Sequence, residues 1–429
     1  MRNLKLTIAL STMLALAACS SDSSQRCDDR LCNEYENISV DQSDVTQSYS
    51  SSGSGGYQTM GLLDPILSLT PTLTLVGTLA PPTVNGTQVQ ASDITVNGTK
   101  VYVAYNTAGV IQAGAIDVID ISNPSILTLP SQALYPTSDI HKVYVKGGKL
   151  YAAGATSDNG GGGNVQKITL DASGKLTSTV SSAFLRSASS ASVPAYAGVS
   201  LVQSGSYIYA LSGDNGGLVV LNEADLTTAN FTPLPNARDI SFDSANSSLY
   251  VVTGKTSGGT DAAVKHYDLN GGLLAAGNVT LPNAQFDDGK STIVSGTNMQ
   301  IATAGYGGAR LICLTGGAAG TTLGLAANPT VSGLTAAEQV ANAAAFGAGY
   351  MFVANGEAGI SIYSVNVPSI PLGCNLVTIT YLGRFSLGTD ASVNNVFYTN
   401  GYLVAATGEK GFKIIRVQTS VLSGLLQAL

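Results

Sequence analysis

Tryptophan is absent from the 429 residues, histidine occurs twice and cysteine five times, and only 11% of positions are charged. Two histidines and five cysteines are too few ligands for a multi-histidine metal centre or a string of haem-attachment motifs. Cations are also scarce, with 20 Lys and Arg against 27 Asp and Glu and a formal net charge of −7. Binding along a phosphate backbone rests on clustered cations, so no nucleic-acid partner is expected. No amphipathic helix of useful length separates the β-rich runs, which disfavours an α/β sandwich. What the chain has in plenty is glycine, 49 residues, in a length that can bury a large core.

The N-terminus carries an export pattern. Arg2 and Lys5 precede an apolar run from Leu6 to Ala18 that is too short to span a bilayer. It ends in Leu16-Ala17-Ala18-Cys19, which resembles a bacterial lipobox, so residues 1–18 are expected to be a lipoprotein signal peptide and Cys19 the diacylglycerol-bearing residue. Cleavage there removes two positive charges and no negative one, taking the net charge from −7 to −9. Several acyl chains on one cysteine anchor a protein stably, where one is marginal. Ser20 follows where an Asp would mark inner-membrane retention, so the resemblance implies the outer membrane, on its periplasmic or its surface face. Residues 19–58, rich in Ser, Asp, Gln and Gly, have the composition of a tether, with a random-coil reach of roughly 35 Å. Cys19 apart, four cysteines remain for an oxidising compartment, and the expected bridges are Cys27–Cys32 and Cys313–Cys374.

The rest of the chain repeats. A short β-rich run, a Gly or Asn turn, a second run and a third apolar run recur seven times, the second runs reading KVYVAYN, KLYAAG, YIYALSG, SLYVVTG, MQIATAG, YMFVANG and YLVAATG. Tyr102, Tyr151, Tyr209, Tyr250, Ile301, Phe352 and Val404 occupy equivalent positions, at steps of 49, 58, 41, 51, 51 and 52 residues. This is the spacing of propeller blades. Four copies bound the turn between their second and third runs with glycine, at Gly213 to Gly217, Gly305 to Gly308, Gly356 to Gly359 and Gly408 to Gly411, where positive φ is expected. Asp158-Asn159-Gly160 and Asp214-Asn215-Gly216 fit turn chemistry better than a calcium loop, and Gly160 to Gly163 a flexible hairpin tip. Thr335-Ala-Ala-Glu338 has the form of a capping box, whereas repeat register makes Asn342 to Phe346 an inner strand; register is preferred.

The last copy ends near Val417 without a fourth strand, while Leu73 to Leu79 resembles the fourth strands elsewhere. The expected fold is therefore all-β: a single seven-bladed β-propeller over 59–417, closed by an N-terminal strand that completes the last blade. Deleting residues 60–80 is expected to unfold it. The tail 418–429, with Val421, Leu422, Leu425, Leu426 and Leu429 at helical spacing, is expected to form a short helix packed on the rim.

The runs LVGTLAPP, DITVNGTKVYVAYN and GAIDVIDISNPS are similar to bacterial LVIVD-repeat proteins, exported β-propellers of mostly unassigned function. The resemblance covers roughly residues 73–417 and is weakest in the fifth copy. It implies a propeller and export, and it supplies no catalytic residues.

Innermost strands line a propeller's tunnel, so residues entering them ring one mouth. By register these are Asp93, Lys142, Ser200, Asp239, Ser291, Asn342 and Asn395, with Asp139, His141, Asp287 and Asp288 nearby. Such a ring offers a polar ligand or a divalent cation oxygen ligands, or it serves only to hydrogen-bond strand starts, which is the preferred reading. His141 beside Asp139 has the elements of an acid–base pair, but neither it nor His266 has a nucleophile at a motif spacing. The favoured function is a protein-binding or scaffolding module of the cell envelope that needs no cofactor. One alternative is a lactonase-like hydrolase holding a divalent cation on three or more of Asp93, Asp139, Asp239, Asp287 and Asp288. Another is a surface adhesin or glycan binder meeting a polar extracellular ligand.

Overall fold

The structure is a computed structural model that describes residues 70–419 except 190–192, 214, 256–260, 276–277, 282–290, 297–298, 316–317 and 367–377, together with the two-residue strands Leu31–Cys32, Glu36–Asn37 and Ser48–Tyr49. Residues 1–18, Cys19, Cys27, Asp287, Asp288, Cys374 and the expected tail helix lie outside the described residues. Both expected bridges thus have one partner outside them, and among the described residues no disulfide is found.

The chain folds as an all-β, seven-bladed propeller. Each blade is an antiparallel sheet in which the inner strand pairs with the second, the second with the third and the third with the outer strand. Inner strands run over Gln90–Asn97, Ser138–Lys146, Ser200–Ser204, Ala237–Asp243, Ile293–Gly296, Ala343–Gly347 and Asn395–Thr399. The outer strand of blade seven is Thr72–Leu79, in register with the third strand Phe412–Gln418 through Leu79↔Phe412 and Leu73↔Val417. The N-terminal strand therefore closes the ring as its sequence predicts. Leu31–Cys32 and Glu36–Asn37 pair along this closing strand, and Ser48–Tyr49 along the outer strand of blade six.

The core is divided among the seams. Seven apolar clusters each join two neighbouring blades, because every sheet is apolar on both faces and must bury each against the next. The equivalent second-strand residues are the knobs of this packing. Tyr102 packs with Ile140 and Leu150 of blade two, Tyr151 with Leu201 of blade three, and Phe352 with Val396 of blade seven. Two of the tyrosines also reach the following blade with their hydroxyls: Tyr102 donates to the Gly174 carbonyl at 2.8 Å and Tyr151 to Glu223 Oε1 at 3.0 Å. A buried ring that keeps its hydroxyl bonded gains apolar area without stranding a polar group.

The glycine turns dock blade on blade. Gly408 adopts φ +56°, and its N–H and carbonyl exchange bonds of 3.2 and 2.9 Å with Ala91 at the entry of blade one. Gly356 with Val393 forms the same bridge between blades six and seven, and Gly305 with Ala341 between blades five and six. Gly217 departs from the expectation: it is not a positive-φ residue but lies in a strand, where an added Cβ would come within 2.1 Å of the Thr232 carbonyl. The expected flexible tip at Gly160 to Gly163 is likewise corrected. Gly162 and Gly163 begin the third strand of blade two, and Cβ atoms there would meet Pro194 and Ala197 at 2.5 Å, so close backbone approach selects glycine. The capping box and the register reading of blade six are both realised. Glu338 accepts the Thr335 N–H at 2.6 Å over a single 3-10 turn, Ala336–Gln339, and the inner strand starts at Ala343.

Candidate functional site

Register places the seven ring residues together at one mouth, and all but Lys142 are buried. Their polar atoms are spent largely on neighbouring blades. Asp93 of blade one accepts the Asn395 amide of blade seven and, at 3.1 Å, the Val143 N–H of blade two. Asp239 of blade four accepts the Ser200 hydroxyl of blade three and, at 2.9 Å, the Ile293 N–H of blade five. Asn342 of blade six donates to the Val393 carbonyl at 3.0 Å, and its own carbonyl accepts the Thr303 hydroxyl of blade five at 3.0 Å. His141 Nδ1 lies 3.0 Å from the Gly198 carbonyl, which places the proton on that nitrogen and joins blades two and three. Each of the seven seams thus carries a side-chain bond at this end.

Lys142 spans the mouth. Its ammonium comes from blade two and lies 3.6 Å from Asp93 Oδ1 and 3.2 Å from Asp239 Oδ1, reaching past blade three to do so. Burial alone pushes a lysine pKa down, but the Asp239 and Asp93 carboxylates outweigh it and hold this one above the ordinary lysine value. Sequence register found the two carboxylates but not the bridge between them.

The mouth has a feature that sequence reading missed. The inner strands of blades one, two and four each carry a β-bulge at the same place, between Ala91 and Asp93, Ile140 and Lys142, and Ala237 and Asp239. The extra residues are Ser92, His141 and Arg238. A bulge breaks the two-residue alternation, so two consecutive side chains reach the same space. Ser92, His141 with Lys142, and Arg238 with Asp239 accordingly line one cavity of about 200 Å³, with Asn106, Ser291 and Thr292 completing its polar wall. The bulged residues share no residue type, so only their position, one before the ring residue, signals them.

Asp139 and His141, which lie close in sequence as candidates for an acid–base pair, bond different partners. Asp139 accepts the Thr107 N–H at 2.8 Å and its hydroxyl at 3.0 Å, bracing the loop of blade one, while His141 faces Gly198. His266 stacks on Tyr250 in blade four, ring centroids 4.4 Å apart. Among the described residues no group of three or more His, Cys, Asp or Glu is placed to hold a metal ion. Asp93 and Asp239 could serve one only if Lys142 withdrew from between them.

No family model matches the chain, and no curated protein matches it. Among solved structures it is similar to a computationally designed protein, Ika8, at 13% identity and a TM-score of 0.44, over 78% of this chain and 98% of that one.

Proposed function

We propose that the protein is a lipid-anchored β-propeller of the bacterial outer membrane, related to the LVIVD-repeat proteins, that acts as a protein-binding or scaffolding module. The supporting observation lies on the face that carries the mouth. The loops between second and third strands and the links between blades emerge there, and two of them expose large apolar side chains. Val110 is 98% and Tyr196 74% exposed, with Ile111 and Val193 beside them in their loops. Single exposed apolar residues are ordinary, whereas several on braced loops of one face fit an interaction surface. The loops are held: Thr107 bonds Asp139, and the Tyr196 N–H donates to Asn215 Oδ1 at 3.2 Å. The hydrolase alternative has less support, because the Asp93 and Asp239 oxygens already accept bonds across the seams and Lys142 stands between them.

A photo-crosslinking residue at Ile111 or Tyr196, in cells, should give one discrete protein adduct, and the same residue at Ile126 or Leu273, in turns that emerge from the opposite face, should not. Equal adducts from both faces, or none from either, would reject this surface. For the anchor, Cys19→Ala should move the protein from the membrane fraction to the soluble fraction and remove the mass of the acyl groups. Unchanged membrane retention would refute lipidation at this cysteine.

A further inference from the structure

The cavity beside Lys142 has hydrogen-bonding capacity that the fold does not use. The Ser291 hydroxyl is buried, at 4% exposure, and faces the cavity without a hydrogen bond to any described residue; the Asn106 side-chain amide also lines it and makes none. Other polar groups of the wall are committed: Thr292 to Thr303 at 3.3 Å, Ser92 to the Ile140 carbonyl at 3.0 Å, and Asp239 to two seams and the lysine. The Ser291 hydroxyl and the Asn106 amide both open onto the cavity and are available to hydrogen-bond an occupant.

The chemistry of that occupant follows from three observations. Among the described residues the formal charges of the mouth balance, since Asp93 and Asp239 stand against Lys142 and Arg238, which gives no surplus among them to select an anion or a cation. The unspent groups are a hydroxyl and an amide, each both donor and acceptor, which matches ligand groups that also both donate and accept. The volume of about 200 Å³ equals six or seven waters at ~30 Å³ each, enough for one six-membered ring, and Val199 supplies an apolar wall for its C–H face. Three bulges directed at one cavity add the re-aiming of side chains that accompanies binding sites.

We propose that this cavity binds a single neutral sugar ring, through the Ser291 hydroxyl and the Asn106 amide. The site stands independently of the apolar docking surface. Its test is saturation-transfer NMR on the full-length protein with glucose, galactose and N-acetylglucosamine, using phosphate and glucuronate as charged probes. At least one neutral sugar should bind saturably, and Ser291→Ala and Asn106→Ala should each weaken it roughly three- to tenfold while leaving the unfolding midpoint unchanged. If Ser291→Ala does not fold, Asn106→Ala alone decides. Saturation by phosphate or glucuronate only, binding unaltered in the folded variants, or no saturable neutral sugar well above ~1 mM would each overturn the proposal.

Discussion

Removal of Thr72–Leu79 should leave no folded propeller. Leu73, Leu75, Val76 and Leu79 of this strand are almost wholly buried, in the clusters that join blade seven to blades six and one. At about 1.5–3 kcal/mol for each large apolar side chain, their loss removes roughly 6–12 kcal/mol, which rivals the whole stability of an ordinary domain, about 5–15 kcal/mol. Deletion also strips the ladder from Phe412–Gln418 and exposes an unpaired edge between two half-open seams. The expected result is an aggregating chain with no cooperative unfolding transition. A peptide spanning residues 70–80, added in trans during refolding, should restore the transition, because the same strand supplies the same ladder. A deletion variant that unfolds cooperatively near the wild-type midpoint would show that the ring closes some other way.

Replacing Lys142 with Met should cost about 3 kcal/mol, the scale for removing one partner from a buried charge cluster. The methylene stem can be mimicked, but the two carboxylates then face each other across the mouth with no cation between them. Lys142→Arg should retain most of the stability. The pH behaviour separates the charge from the packing. A lysine whose folded pKa is raised contributes fully below its unfolded pKa of about 10.4 and loses that contribution only as pH rises through the higher folded value. In the wild type the Lys142 contribution should therefore be constant across neutral pH and fade only in strong alkali. Urea unfolding of the wild type and the Met variant at neutral and at strongly alkaline pH measures this. A Met variant as stable as the wild type at neutral pH would mean that the bridge contributes nothing net.

The residues differ in how openly they declare their roles. The aromatic or aliphatic residue at Tyr102 and its equivalents announces the blade because every second strand must present one knob to the next sheet, and that demand recurs at each copy. Thr72–Leu79 announces the closure because a fourth strand is missing from the last copy and a spare one precedes the first. The ring of Asp93, Ser200, Asp239, Asn342 and Asn395 was legible from register as a polar circle. Its use as a set of clamps between blades was not, because each bond joins residues dozens to hundreds of positions apart, such as Asn395 with Asp93.

Strand order, blade number and the closing strand were thus determined by the sequence itself, since each is written in a local pattern of apolar residues and glycine turns that repeats down the chain. The cavity was decided only in three dimensions. Ser92, His141 and Arg238 have no common chemistry, and a bulge is a property of two paired strands, not of either one. Whether Asp239 would meet a metal, a ligand or Lys142 depended on which side chains seven separate sheets brought to one mouth, and the ammonium of Lys142 from blade two is the group that lies beside both carboxylates.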